Sequence, residues 1–434
     1  MEYLRLFVEP NEDEIKGISL RNKNNDEVSQ IVKNIISKVK MDKDSALIEY
    51  EKLFDKVELQ SLEVEKEKIE NSEKQIDKSL SQAIRIAAKN ISLFHENQKP
   101  NESSIEVMEG IKLYRKTVAL NTVGLYIPGG TAPLFSTVLM LGIPAKIAGC
   151  KNIQLCTPPD KNGEINPAIL FAAKIAGIDK IFKVGGAQAI AALAYGTQTI
   201  KKCDKIFGPG NQYVTNAKLQ VSIDCCSIDL PAGPSEVLVV IDKNSNICFA
   251  ASDLLSQAEH GFDSQSILVI NADKEEGIKI AGKVEKELEL QMKRLNRKNY
   301  LKESLKNSKA VIIQEIKEVN KFINAYAPEH LIINTDSNEI ILAEVENAGS
   351  VFIGPWSCES AGDYASGTNH TLPTGGWAKS YSGVSYDSFV KKITYQEISQ
   401  KGLQQLSPTI IKMAEAENLD GHANAVSVRM EEIK

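Results

Sequence analysis

The chain has 434 residues, 42% of them hydrophobic and 25% charged, with a formal net charge of -6 at pH 7. This composition describes a globular protein of two or three domains, not a disordered or fibrous chain. A modest acidic balance without a basic stripe argues against nucleic acid as a main partner.

The opening MEYLRLFVEP carries acid and no apolar run long enough for a signal peptide. Residues 1 to about 98 are rich in Lys, Glu and Ile and almost free of Gly. Segments such as 28–36 and 79–94 place apolar residues at i, i+3, i+4 and i+7, which predicts helices with solvated charged faces. The texture changes at Thr122. A strand over 123–127 runs into Pro128-Gly129-Gly130-Thr131, and the apolar stretch 132–150 follows. Pro133, Pro144 and Lys146 interrupt that stretch, so it reads as a buried helix and not a membrane span. Strands at 153–157, 180–184 and 205–207 alternate with helices at 167–176 and 187–195 and a further helix after Asn211, the pattern of right-handed βαβ units in a parallel sheet. After Pro231-Ala232-Gly233-Pro234-Ser235 the alternation resumes. Strands are expected at 237–241, 266–270, 310–313, 331–334 and 350–353, and helices at 249–260, 274–295, 317–325 and 339–346. Residues 354–383 read as a long loop, which in a compact protein is usually functional. The last fifty residues read as a short helical tail.

The expected fold is therefore α/β, with two Rossmann-like doubly wound domains, a helical N-terminal region and a short helical C-terminal tail. The expected division is a helical region 1–121 packing with a second α/β domain 236–380, a cofactor-binding domain 122–235, and a tail 381–434 contacting a partner subunit. Seven cysteines, an odd number without a CxxC pair, fit reduced thiols in a cytoplasmic protein. Adjacent Cys225 and Cys226 read as small core residues.

Three glycine turns fall where parallel strands end: after Tyr126 at Gly129-Gly130, at Gly185-Gly186 before Gln188, and at Gly208-Pro209-Gly210-Asn211. Open α/β sheets bind ligands at their carboxyl edges. None of the turns is a dinucleotide fingerprint or a P-loop. Three together favour a nucleotide site over three structural turns.

Four of the five histidines lie in the C-terminal half, each near a carboxylate or carboxamide. Histidine titrates near neutrality and is the commonest metal ligand, so this placement suggests one metal or proton-transfer site assembled from several segments. Gln257 and His260 share a face at the end of a helix. Taken alone, that pair is better explained by a helix C-terminus using His260 against its dipole. Glu329 and His330 precede a strand, where neighbouring side chains point apart. They could act as separate bases on two atoms of one substrate. Asp363 is a hard oxygen donor on a Gly-flanked turn, with His370 close behind it. Glu417 and His422 sit in the tail, where they could reach another subunit.

The strings VGLYIPGGTAPLFSTVLMLGIPAKIAGC, FGPGNQYVTNAK, DLPAGPSEVLV, SDLLSQAEHG, YAPEHL, ESAGDYASGTNHTLPTGG and AEAENLDGHANAV, in this order, resemble the histidinol dehydrogenase family. The resemblance runs from about 123 to 426. It implies an NAD-dependent, four-electron oxidation of L-histidinol to L-histidine through L-histidinaldehyde, the last steps of histidine biosynthesis. It also implies one Zn2+ per subunit held by Gln257, His260, Asp363 and His422, with Glu329 and His330 as the acid/base pair. Substrate contacts are implied for Ser235, Gln257, His260, His330, Asp363, His370, Glu417 and His422, and NAD+ contacts for Tyr126, Gln188 and Asn211. The implied active unit is a homodimer in which Glu417 and His422 serve the partner's site. Gly421, beside the metal histidine, departs from the family. Cys358, near Asp363, reads as incidental. Competing readings are a zinc-dependent NAD dehydrogenase of another amino alcohol or sugar-like alcohol, a metal-dependent hydrolase, and a non-catalytic metal-binding homologue.

Overall fold

Segments such as 237–241 and 267–270 are apolar at every position, and such a strand can hide both faces only in a sheet covered on both sides. The computed structural model describes residues 3–21, 26–129, 133–231 and 233–433. In chain order its strands are β1 (Arg5–Val8), β2 (Ser104–Met108), β3 (Ile111–Ala119), β4 (Thr122–Tyr126), β5 (Asn152–Thr157), β6 (Lys180–Lys183), β7 (Lys205–Phe207), β8 (Ser227–Ile228), β9 (Glu236–Asp242), β10 (Gln265–Asn271), β11 (Lys309–Ile313), β12 (His330–Asn334), β13 (Ser350–Ile353) and β14 (Val390–Ile398). The chain divides into two compact units, residues 1–97 with 120–389, and residues 98–119 with 390–434.

The first unit holds two parallel sheets. Their orders are β6-β5-β4-β7-β8 and β1-β11-β10-β9-β12-β13. Leaving out β1, both follow one pattern: the first strand lies central, the next two step outward on one side, and the last two step outward on the other. The doubly wound α/β expectation holds, and the shared order is a topological repeat that no residue-level repeat revealed. Alternation along each strand sends side chains to two cores. Val237, Val239 and Ile241 join the cluster with Leu268, Ile270 and Ile312. Leu238 and Val240 join Ile267, Val269 and Ile333 on the other face. The helix Phe135–Ala148 is buried along Ser136–Ala145 with Pro144 inside it. Among the described residues no helix is long and apolar enough to cross a membrane.

Two expectations need correction. The first hundred residues are neither wholly helical nor packed mainly with the second sheet. Arg5–Val8 pairs in parallel with β11, and Ile18 packs under the second sheet. The helices Asp26–Asp42 and Lys78–Glu96, by contrast, bury Val32, Ile36 and Val39, and Ile84 and Ile91, on opposite faces of the first sheet. Their apolar stripes cover faces that would otherwise meet water, and burial decides the partner. Second, the tail is not only helical. In the second unit β14 pairs antiparallel with β3, and β3 with β2. The helices Gln400–Ala416 and Asp420–Glu431 follow β14.

Candidate active site

The carboxyl ends of β4 to β7 border a cleft of about 1170 Å³, lined by residues that include Tyr126, Gly129, Gly185, Gln188 and Asn211. The expected cofactor residues Tyr126, Gln188 and Asn211 therefore share one cavity. Gly130 and Thr131 lie outside the described residues. Gly208 has a φ of +128°, and a Cβ there would stand 2.0 Å from the carbonyl oxygen of Tyr126, so this turn requires glycine. Three backbone donors of these turns are already used, that of Gly208 by Asp229 Oδ2 at 2.8 Å. The Tyr126 hydroxyl accepts from Gly186 N at 3.0 Å, and the Glu51 carboxyl accepts from Gly185 N at 3.1 Å. Asn211 caps the next helix by accepting from Tyr213 N and Val214 N, which leaves its amide N–H groups to donate outward.

The second constellation lies at the opposite kind of edge, where strands of the six-stranded sheet begin. His330 opens β12 and pairs in register with Val237 and Ser350, and Glu236 opens β9. His330 is 4% exposed and Glu329 5%. His330 Nδ1 donates to the carbonyl oxygen of Glu236 at 3.2 Å. Its Nε2 lies 3.4 Å from Asp363 Oδ1 and has no hydrogen-bond partner among the described residues. Glu329 accepts from Glu236 N at 2.8 Å. Neighbours at a strand start were expected to point apart, but Glu329 Oε2 stands 3.7 Å from His330 Nδ1. The bond to Glu236 N turns the carboxylate back toward the ring.

Asp363 is not on a turn. It sits on a short helix, Glu359–Tyr364, inside the segment read as loop, with Cys358 exposed at its N-cap. This helix brings in Glu359, which sequence reasoning missed. Glu359 is fully buried, its Oε1 lies 3.9 Å from His330 Nδ1, and neither carboxyl oxygen has a hydrogen-bond partner among the described residues. The i, i+4 spacing of Glu359 and Asp363 was visible in the sequence; the burial was not. Ligand atoms of His260, Glu359 and Asp363 lie within 4.8 Å of one another. Gln257 is on the last turn of the helix Ile247–Ala258, and His260 lies just beyond it. The Gln257 carboxamide is fully buried, yet among the described residues neither its oxygen nor its nitrogen has a hydrogen-bond partner.

Unpartnered buried polar atoms are costly. Here they gather around three carboxylates, so the set fits a cation with oxygen and imidazole ligands. Burial disfavours the imidazolium form of His330, but Glu359, Glu329 and Asp363 outweigh it and raise its pKa to about 10. Burial pushes Glu329 up to about 8. Glu236 is ion-paired with buried Arg21 at 2.6 Å and accepts from Gly375 N at 2.8 Å.

His370 uses both ring nitrogens. Nδ1 donates to the Asp363 carbonyl at 2.8 Å, and Nε2 lies 3.0 Å from Thr137 Oγ1. Asn369 donates to the Met140 carbonyl at 2.6 Å. This segment thus ties the acid cluster to the helix Phe135–Ala148 of the first sheet. Ser235, half-buried, directly precedes Glu236. Glu417 and His422 lie exposed in the second unit.

The sequence profile of the family described as Histidinol dehydrogenase matches residues 19–430. A histidinol dehydrogenase of Bacteroides fragilis is 56% identical over 403 residues, 93% of each chain. One of Campylobacter jejuni is 49% identical over 411 residues, 94% of each. The crystal structure of histidinol dehydrogenase from Elizabethkingia anophelis superposes with a TM-score of 0.95 at 49% identity, covering 100% of this chain and 99% of that one.

Proposed function

The chain belongs to the histidinol dehydrogenase family, and on that premise we propose that it oxidises L-histidinol to L-histidine through L-histidinaldehyde, passing two hydrides to NAD+. The observation that carries this reading is a buried His330–Glu329 pair beside a cluster of unpartnered metal-competent groups. Two oxidations need two hydride acceptors, a base for each, and one water. His330 fits the base that takes the hydroxyl proton. Its Nδ1–H is held by the Glu236 carbonyl, which fixes the tautomer and leaves Nε2 free to accept. Glu329 fits the base that activates water on the aldehyde, since burial strengthens its basicity. The first step yields aldehyde, NADH and a proton; the second consumes water and yields carboxylate, NADH and two protons.

A zinc ion held by Gln257, His260, Asp363 and His422 of the partner subunit would orient the imidazole and amine nitrogens of the substrate and offset the field of the carboxylates around His330. NAD+ in the cleft of Tyr126, Gln188 and Asn211 would accept each hydride. Ser235, His370 and Glu417 of the partner subunit complete the proposed substrate contacts. His370, neutral and doubly hydrogen-bonded, presents a fixed ring face. The active unit on this reading is a cytoplasmic homodimer. All seven cysteines stand free, as suits a reducing compartment.

Counting NADH against histidine tests the proposal. Purified protein given L-histidinol and NAD+ should form two NADH per histidine with little free aldehyde. A ratio near one, with aldehyde accumulating, would contradict a single site for both oxidations.

A further inference from the structure

The cleft assigned to NAD+ has a floor that the mechanism above leaves unused. The helix Asp44–Tyr50 runs on into a π-helical turn, Glu51–Asp55. Single π turns are rare and concentrate at functional sites. This one brings Glu51 and Asp55 to the cleft. Glu51 is fully buried. Its Oε1 accepts from Gly185 N at 3.1 Å and from Gln188 Nε2 at 3.1 Å. Its Oε2 is buried without an N–H or O–H donor among the described residues. Asp55 closes the same turn and lines the cleft; its Oδ2 flanks the same Gly185, 3.5 Å from where a Cβ would stand there, and the two carboxyls act on each other.

Two carboxyl groups can meet in a buried place only when a proton stands between them. Among the described residues no Lys, Arg or His pairs with Glu51, and the other titratable groups facing it, Tyr126 and Cys156, are held neutral by burial. A proton on Oε2, donated to Asp55, satisfies the orphaned oxygen and leaves Oε1 to hold Gly185 and Gln188. The direction of the Glu51 shift agrees: burial pushes its carboxyl up to about 8.

We propose that Glu51 and Asp55 form a proton-sharing carboxyl pair that positions the Gln188 carboxamide and the Gly185 turn for the cofactor. Glu51 is a positioning residue: it acts through Gln188 and Gly185. The pair also explains why the N-terminus of the helix Gly186–Tyr195 is not open to a phosphate, since Glu51 and Tyr126 already occupy its first donors. The proposal rests on the reading of this cleft as the cofactor site.

Steady-state kinetics of the zinc-loaded full chain test it, with NAD+ varied at saturating histidinol and the reverse. Glu51→Ala should raise KM for NAD+ about three- to tenfold, the effect expected for losing two neutral hydrogen bonds, with kcat and KM for histidinol within about twofold. Glu51→Gln should recover most of that loss, because a carboxamide reproduces the neutral acid: its oxygen accepts from Gly185 and Gln188 and its NH2 donates to Asp55. An ionised Glu51 would make Glu51→Gln as damaging as Glu51→Ala, and a merely structural one would lower kcat and raise both KM values together; either result overturns the proposal. Should Glu51→Ala fail to fold, half-buried Asp55→Ala takes its place, and an unchanged KM for NAD+ there overturns it equally. Gln188→Ala separates the two levels. If it raises KM for NAD+ while Glu51→Ala does not, the pair fails alone; if Gln188→Ala also leaves KM unchanged, the cofactor reading of the cleft falls and takes the pair with it.

Discussion

The two sheets of the first unit share a strand order yet present their polar chemistry at opposite edges. At the carboxyl edge of the five-stranded sheet most polar groups of the cleft are bonded within one chain: Gly185 N, Gly186 N and the Asn211 side-chain oxygen have partners, and among the described residues Glu51 Oε2 and Thr157 Oγ1 are the exceptions. At the amino edge of the six-stranded sheet the groups are left wanting. Gln257, Glu359, His330 Nε2 and Asp363 Oδ1 are buried and have no hydrogen-bond partner among the described residues. A finished surface suits a ligand that comes and goes. An unfinished one suits a group that must be bound before the site works, since burying unpaired polar atoms is tolerated only where something repays the cost. Edge position alone does not locate a site; unsatisfied chemistry does.

The comparison breaks most easily at the bases. His330→Asn should slow both oxidations, on the order of a hundred- to ten-thousand-fold in kcat. Glu329→Gln should fall chiefly on the oxidation of histidinaldehyde, by on the order of a hundredfold or more. Assaying each variant with histidinol and with histidinaldehyde separates the roles. A Glu329→Gln enzyme that oxidised the aldehyde normally but failed on the alcohol would reverse them.

The claim that the amino-edge site is unfinished in one chain is sharpened by mixing subunits. His260→Ala and His422→Ala homodimers should each be nearly inactive. Random pairing gives half mixed dimers, each with one intact site of two, so about a quarter of wild-type activity should return. A verified mixed dimer without activity would put His422 back on its own chain.

The carboxyl edge predicts a smaller effect. Tyr126→Phe removes the acceptor of Gly186 N. KM for NAD+ should rise about fivefold, equivalent to about 1 kcal/mol, with kcat for histidinol little changed. An equal loss in kcat would mean that Tyr126 touches the reacting atoms.

How far the sequence revealed this depended on what each feature needs. The central strands were legible because the interiors of β9 and β10, 237–241 and 267–270, are covered on both faces and apolar throughout. Arg5–Val8 was not, because four residues on a sheet edge have no period to read and gain their identity only from β11. Glu51, Glu236 and Glu359 escaped notice for one reason: carboxylates in helical regions, at strand ends and in loops usually face water, and only the packed fold shows these at 1% exposure or less. The histidines and their acidic neighbours stood out because the chain has so few. The convergence of Gln257, His260, His330, Asp363 and His370 could be suspected from sequence, but the hydrogen bonds that spend both nitrogens of His370 could not.

Removing the metal and measuring NAD+ affinity tests the division between the edges most directly. Protein stripped with a chelator, verified metal-free and titrated calorimetrically with NAD+ should bind it within about twofold of the zinc-loaded protein, while histidinol turnover disappears and returns with added zinc. Loss of NAD+ affinity together with the metal, or turnover that survives stripping, would contradict the account.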